Sequence, residues 1–310
     1  MKRLPQAIAL VVAALLLASC ATATLTRLAY ANAALAYSNL GPMLTWMIDD
    51  YVDLTDAQED WVRGRVARTM QWHRTLELPK YRRFLEAVLA KTEGPFTAQD
   101  VGVHQKALRA HYQRFAEQVI PDIAEFLGNM DTEQVGQLER KFVEENAKFT
   151  RESIRGSADE RRSKRLRRFI DHLEGWVGSL STEQRERVAD FYRTAPDISE
   201  EILGERRVRQ GEILALVRAK APREQMSTEL KRLLVDIESW RRPEYIQKLR
   251  ARDQKMSEML AALSATLSAE QRAELQKRIR GLMRDIATLT AARGTGAGGY
   301  ASPGNADGRR

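Results

Sequence analysis

Cysteine is almost absent. Of 310 residues only Cys20 carries a thiol, so no disulfide can form within the chain and a packed core must supply its stability. Aromatic residues are few, at 7%, and alternating β-branched runs flanked by hairpin turns are missing, which argues against a sheet. There is no Gly-rich phosphate loop and no Gly-x-Ser-x-Gly turn. The four histidines, His73, His104, His111 and His172, are scattered. With no free cysteine nucleophile either, an enzyme is not expected, and neither is a cofactor. The apolar run Ala7 to Leu17 is too short to span a bilayer but has the length of a signal-peptide core.

That run has a context. Lys2 and Arg3 precede it, and Leu17-Ala18-Ser19-Cys20 closes it. Leu-Ala-Ser-Cys resembles the lipobox of bacterial lipoproteins, in which the signal is cut before the cysteine and both its thiol and its new amino end are acylated. The resemblance implies a signal peptide over 1–19 and lipid attachment at Cys20, and three acyl chains exceed what stable anchoring requires. Ala21, not Asp, follows the cysteine; by the same resemblance this implies the periplasmic face of the outer membrane. Removing Lys2 and Arg3 from 50 basic residues leaves 48 against 42 acidic ones.

From residue 55 to about 292 the pattern is helical. Val188, Phe191 and Tyr192 share one face, as do Leu230, Leu233, Leu234 and Ile237, with charges between them. Helices are predicted over 55–75, 79–92, 97–128, 131–155, 158–179, 181–195, 198–219, 224–241, 243–265 and 268–292. Pro79 and Pro243 suit first-turn positions, whereas Pro121 is expected to kink or split its helix. The predicted fold is all-α: an elongated antiparallel helical bundle or cradle, in two related halves. The predicted organisation is a lipid-anchored tether over 20–40, helical units over 41–155 and 156–292, and a Gly-rich disordered tail over 293–310.

One pentapeptide recurs four times: Leu54-Thr55-Asp56-Ala57-Gln58, Met130-Asp131-Thr132-Glu133-Gln134, Leu180-Ser181-Thr182-Glu183-Gln184 and Leu267-Ser268-Ala269-Glu270-Gln271. In each, Thr55, Asp131, Ser181 or Ser268 can cap the amide three residues on, while Gln58, Gln134, Gln184 or Gln271 reaches back, forming a capping box. The motif resembles the Leu-Thr-x-x-Gln that the Spy/CpxP periplasmic proteins carry twice on a helical scaffold, so the chain looks like two such units in one polypeptide. That resemblance implies a helical cradle and ATP-independent chaperone activity on a basic, partly apolar face. A second resemblance covers more of the chain. The lipobox, Tyr30, Trp46, Asp49 to Thr55 with Gln58, Trp72-His73-Arg74, Glu77-Leu78-Pro79 with Tyr81, Trp176, and the Leu180 and Leu267 motifs are similar to an uncharacterised family of Gram-negative lipoproteins. It implies an envelope role without a known activity.

Two clusters stand out besides the motifs. Asp49, Asp50, Asp53, His73 and Glu77 are weak candidates for a divalent cation, in the absence of any His-Glu-x-x-His pattern. The i, i+4 pair His73–Glu77 reads equally as a surface hydrogen bond. Arg161, Arg162, Arg165 and Arg168 are expected on an exposed basic face, with further positives at Arg206, Arg207, Arg209, Arg241 and Arg242. For a lipid-anchored chain such a face implies anionic lipid, lipopolysaccharide or acidic client segments as partners, not nucleic acid. The alternative is a solvated helix surface balanced by its neighbours. The functional expectation is an ATP-independent, chaperone-like or envelope-stress binding lipoprotein; the alternative is an envelope scaffold or adaptor with one dedicated protein partner.

Overall fold

A computed structural model describes Tyr37 and residues 39–291; Cys20, the signal segment, nearly all of the tether and the 293–310 tail lie outside the described residues. The described residues form an all-α bundle: α1 Leu40–Val52, α2 Asp56–Trp72, α3 Leu78–Lys91, α4 Ala98–Gly128, α5 Thr132–Phe149, α6 Ala158–Val177, α7 Thr182–Thr194, α8 Ser199–Arg218, α9 Arg223–Leu234, α10 Pro243–Ala265 and α11 Ala269–Ala291. None of these helices is long and apolar enough to cross a membrane.

The predicted helices recur with four differences. First, α1 precedes the first predicted helix. Its lower end is built by Asp49, whose carboxylate accepts from the Leu54 amide at 2.9 Å, and by Asp53 in the left-handed region at φ 56°. Second, α2 and α3 are not separated: a π-helical turn, His73–Glu77, joins them. Pro79 follows it directly. In a regular helix its ring would press on the carbonyl of Thr75, and a wider turn relieves that contact. Third, α4 runs through Pro121 without splitting: the hydrogen bond to the Glu117 carbonyl is lost with the proline N–H, and burial of Val119, Ile120 and Ala124 offsets it. Fourth, α9 stops at Leu234, whose carbonyl accepts from the Tyr112 hydroxyl at 3.1 Å; a 3-10 turn, Ile237–Ser239, then leads into α10.

The main core joins Val52 of α1, Ala116, Ile120 and Leu127 of α4, Leu138 and Phe142 of α5, Ile213 and Val217 of α8, and Met226, Leu230 and Leu233 of α9. Each large side chain fully buried there contributes about 1.5–3 kcal/mol. A smaller core gathers Ile170, Val177, Leu180, Val188, Phe191 and Met259 between α6, α7 and α10. The division at residue 155 therefore does not describe the packing. The main core draws on both sides of it, α10 also lies along α4, and α11 along α3.

Candidate functional site

All four recurring motifs begin helices as capping boxes. Thr55, Asp131 and Ser181 accept from the amides of Gln58, Gln134 and Gln184 at 3.3, 2.8 and 3.2 Å. Ser268 accepts from the Gln271 amide at 3.2 Å, and Gln271 returns to the Ser268 amide at 3.0 Å. Two further boxes, Thr97/Asp100 and Ser157/Glu160, start α4 and α6; they carry the acid form of the same box.

The glutamines also meet one another, which no local pattern announces. Gln58 and Gln134 exchange side-chain amide bonds at 3.0 and 2.5 Å. Gln184 and Gln271 do the same at 2.8 and 2.9 Å. Each pair thereby clasps two helix starts side by side. In the second clasp each amide also donates to the backbone just before its partner's motif, Gln184 to Thr266 O at 2.9 Å and Gln271 to Ser179 O at 2.8 Å. Of the corresponding pair in the first clasp, Gln134 to Asp53 O at 3.1 Å is present. The pairing is thus close to twofold within each clasp, and it joins the first motif to the second and the third to the fourth.

A second assembly surrounds the π turn. Glu77 is fully buried. Its carboxylate accepts from Lys80 Nζ at 2.5 Å and from Arg114 Nε at 3.3 Å. Burial by itself would push this carboxyl up, but the hydrogen bond from Lys80 and the nearby Arg114 guanidinium outweigh it and hold Glu77 below the ordinary carboxylate range. Arg114 Nη2 lies 2.6 Å from His111 Nδ1. A guanidinium only donates, so Nδ1 is the acceptor and cannot also donate to Glu77.

His73 sits between two tyrosines, with Nδ1 3.0 Å from the Tyr37 hydroxyl and Nε2 3.3 Å from that of Tyr81. The Tyr37 proton goes to Met70 O at 3.2 Å. Nδ1 therefore donates to Tyr37, and Nε2 accepts from Tyr81. Burial lowers the His73 pKa to about 4, keeping the ring neutral, and lifts the Tyr37 and Tyr81 hydroxyls to about 12. Tyr81 also meets the His111 ring edge-on at 4.5 Å.

The cation candidates do not converge. Asp49 holds the Leu54 amide, Asp50 pairs with Lys141 at 2.9 Å, Asp53 turns the chain, and Glu77 faces cations. Among the described residues no group of three or more acids, histidines or cysteines could hold a metal ion. The pair His73–Glu77 is not a surface hydrogen bond either, since both residues are turned inward at the π turn.

The basic quartet also departs from expectation. Arg161 and Arg165 converge on Asp197 at 3.7 and 3.0 Å, with side chains only 26% and 21% exposed, and Arg162 pairs with Asp159 at 2.9 Å. Only Arg168 of the four is exposed. Asp197, beyond α7 in sequence, comes to lie against α6 and pairs with two of the quartet, Arg161 and Arg165.

Nor are the positives at 206, 209 and 241 a solvated surface. Arg206 and Arg209 are buried on the inner face of α8 beside Glu205 and Gln210, and Glu205 is paired with Arg241 through two hydrogen bonds, one of 2.9 Å. Asn146 of α5 donates to Gln210 Oε1 at 2.6 Å and accepts from Arg206 Nε at 3.2 Å. Continuing the apolar stripe of Val217, Leu214 and Ile213 backward by steps of three and four reaches Gln210, Arg209 and Arg206, and that was the available signal for their burial.

A protein-family model described as a family of unknown function (DUF6279) matches residues 50–246. The chain belongs to that family. The DUF6279 match contains the first clasp, the π-turn assembly apart from Tyr37, the third motif and the buried arginines of α8, and it ends before the fourth motif. No curated protein and no solved structure matches the chain.

Proposed function

We propose that this chain is a lipoprotein held by acylated Cys20 on the periplasmic face of the outer membrane, and that its helical body is a non-enzymatic scaffold or adaptor for one dedicated envelope protein. Anchoring is supported by Lys2-Arg3, the apolar run and Leu-Ala-Ser-Cys. The observation that carries the adaptor reading is the internal use of the groups a Spy/CpxP-like holdase would present. All four motif glutamines are locked in clasps, and three of the four arginines are drawn into ion pairs, Arg161 and Arg165 sharing Asp197 and Arg162 meeting Asp159. Long-range steering of acidic clients requires exposed, uncompensated charge.

A chaperone-like activity is the second reading. It is favoured by six exposed large apolar side chains, Trp46, Leu76, Val103, Leu108, Val143 and Val208, spread over α1, the π turn, α4, α5 and α8. Photocrosslinkers at Leu108 and Val143 in living cells separate the two. One recurring adduct of defined mass is expected. A ladder of unrelated adducts, together with suppressed aggregation of an unfolding client by purified protein, would turn the assignment to the chaperone. For the anchor, Cys20→Ala is expected to abolish labelling by a palmitate analogue and to move the protein out of the membrane fraction; unchanged labelling and partitioning would remove the anchor.

A further inference from the structure

We propose that α8 carries a buried binding site for a small inorganic anion, a halide or oxyanion, held by Arg209 with Gln210 and Trp240. Arg209 is 0% exposed, yet its Nε, Nη1 and Nη2 have no hydrogen-bond partner; buried Gln210 Nε2 and the Trp240 indole Nε1 are in the same position. The Arg209 guanidinium lies 6.0 Å from the centre of the Trp240 ring. All of these atoms are donors, so what they lack is an acceptor.

Charge narrows the choice of acceptor. The charged groups acting on Arg209 are Glu205, Arg206 and Arg241. Arg206 has partners of its own, so the count is Arg209 and Arg241 against one carboxylate, and that carboxylate is already held by Arg241. Arginine does not escape by losing its proton. A buried charge without a partner costs several kcal/mol, and water supplies an oxygen but no charge. An anion supplies both. Asn146 supports the site by fixing the Gln210 carbonyl, which leaves the Gln210 amide nitrogen to donate inward. The site is separate from the clasps and the π turn, and it does not depend on the adaptor reading.

The test uses the full chain purified into a buffer whose only anion is a bulky sulfonate. Sodium bromide or sodium phosphate then replaces the sulfonate at constant ionic strength, and thermal unfolding is followed. The wild-type midpoint is expected to rise saturably with one of the two anions. Arg209→Met should lose that response while being at least as stable as wild type in sulfonate alone, since it removes an unpaired buried charge. Trp240→Phe, a milder change that keeps an aromatic ring but removes the indole N–H, should raise the half-saturating anion concentration about five-fold, the value of one neutral hydrogen bond. Crystals grown in bromide should show an anomalous peak within hydrogen-bond distance of the Arg209 guanidinium. Ordered water alone at Arg209, bromide only on surface arginines, or the same salt response in wild type and both variants would each overturn the site.

Discussion

The two glutamine clasps make the same bonds in different surroundings. The first, Gln58 with Gln134, borders the main core, where Val52, Met130, Val135 and Leu138 are all buried. The second, Gln184 with Gln271, borders the smaller core and floors an open hollow of about 580 Å³ that also includes Gly178, Glu270 and Glu274. The buried member comes from the second motif in one clasp, Gln134 at 4% exposed, and from the first motif in the other, Gln184 at 2%. The second clasp offsets its smaller core with polar bonds: both amides reach a backbone carbonyl, and Arg272 ties the α10–α11 turn to Gly94 O at 3.0 Å and Ser264 O at 2.9 Å. One side of the molecule is therefore held mainly by apolar burial and the other by a denser hydrogen-bond set. A shared motif fixes the joint and leaves its reinforcement to the context.

The sharpest way to break the comparison is to remove the buried glutamines. Gln134→Ala and Gln184→Ala should each destabilise by about 2–3 kcal/mol in denaturant unfolding, because a capping bond is lost and buried partners are left unpaired. Double-mutant cycles should show coupling of about 1 kcal/mol within Gln58/Gln134 and within Gln184/Gln271, and none between Gln134 and Gln184. Losses near 1 kcal/mol with no coupling would reduce the clasps to four independent caps.

Acid should then separate the two sides. His73 titrates at about 4 when folded against 6.5 in the unfolded chain, so between those values the unfolded chain binds the proton more tightly. Stability from the neutral ring is complete well above pH 6.5 and falls as pH drops towards 4, by about 3 kcal/mol. Burial lowers His104 and His111 as well, and Glu77, held below its ordinary value, loses its contribution in the same direction on acidification. On the other side His172 is the one histidine lowered; the carboxyls of Asp197, Glu270 and Glu274 are lowered as Glu77 is, and all four matter only below about pH 5. Hydrogen exchange at pH 5 against pH 7 should therefore accelerate around 56–91 and α4 before it does around α6 and α7. Equal acceleration on both sides would remove the asymmetry.

The smallest effect concerns the turns that precede the first and third motifs. Both enter through a residue of positive φ, Asp53 at φ 56° in the left-handed helical region and Gly178 at φ 79° in an extended region open essentially to glycine. Gly178→Ala should cost about 1 kcal/mol, since a Cβ is disfavoured there. Asp53→Gly should change stability by less than about 0.5 kcal/mol, the relief of strain offsetting the greater freedom of the unfolded glycine. Thermal unfolding of the two variants checks both.

Much of the fold was legible because helix starts are written locally. A cap and its glutamine lie three residues apart, so Thr55/Gln58 and Ser181/Gln184 could be read without knowing what lay beside them. α1 was missed because its end is set by an aspartate-built turn, with no capping box to open it. The wide turn before Pro79 was missed because a proline near a helix boundary normally marks a start. At the sites, charge misled. Arg161, Arg165, Arg206 and Arg209 read as surface because arginine usually is; Asp197 and Asn146, which meet Arg161, Arg165 and Arg206, come from other parts of the chain, and Glu205 of the same helix is taken by Arg241.

What the sequence determined by itself is the all-helical order and the positions of the four capped starts, since each depends on residues within one or two turns of one another. Only the tertiary structure decided that Gln58 meets Gln134 across 76 positions and Gln184 meets Gln271 across 87, that Glu77 is buried against Arg114, and that Arg209 is sealed inside α8 with its donors unmet. Those outcomes depend on which helix faces pack together. Packing is chosen by the burial of whole apolar stripes, and the polar residues between them are carried inward to whatever partners the opposite helix presents.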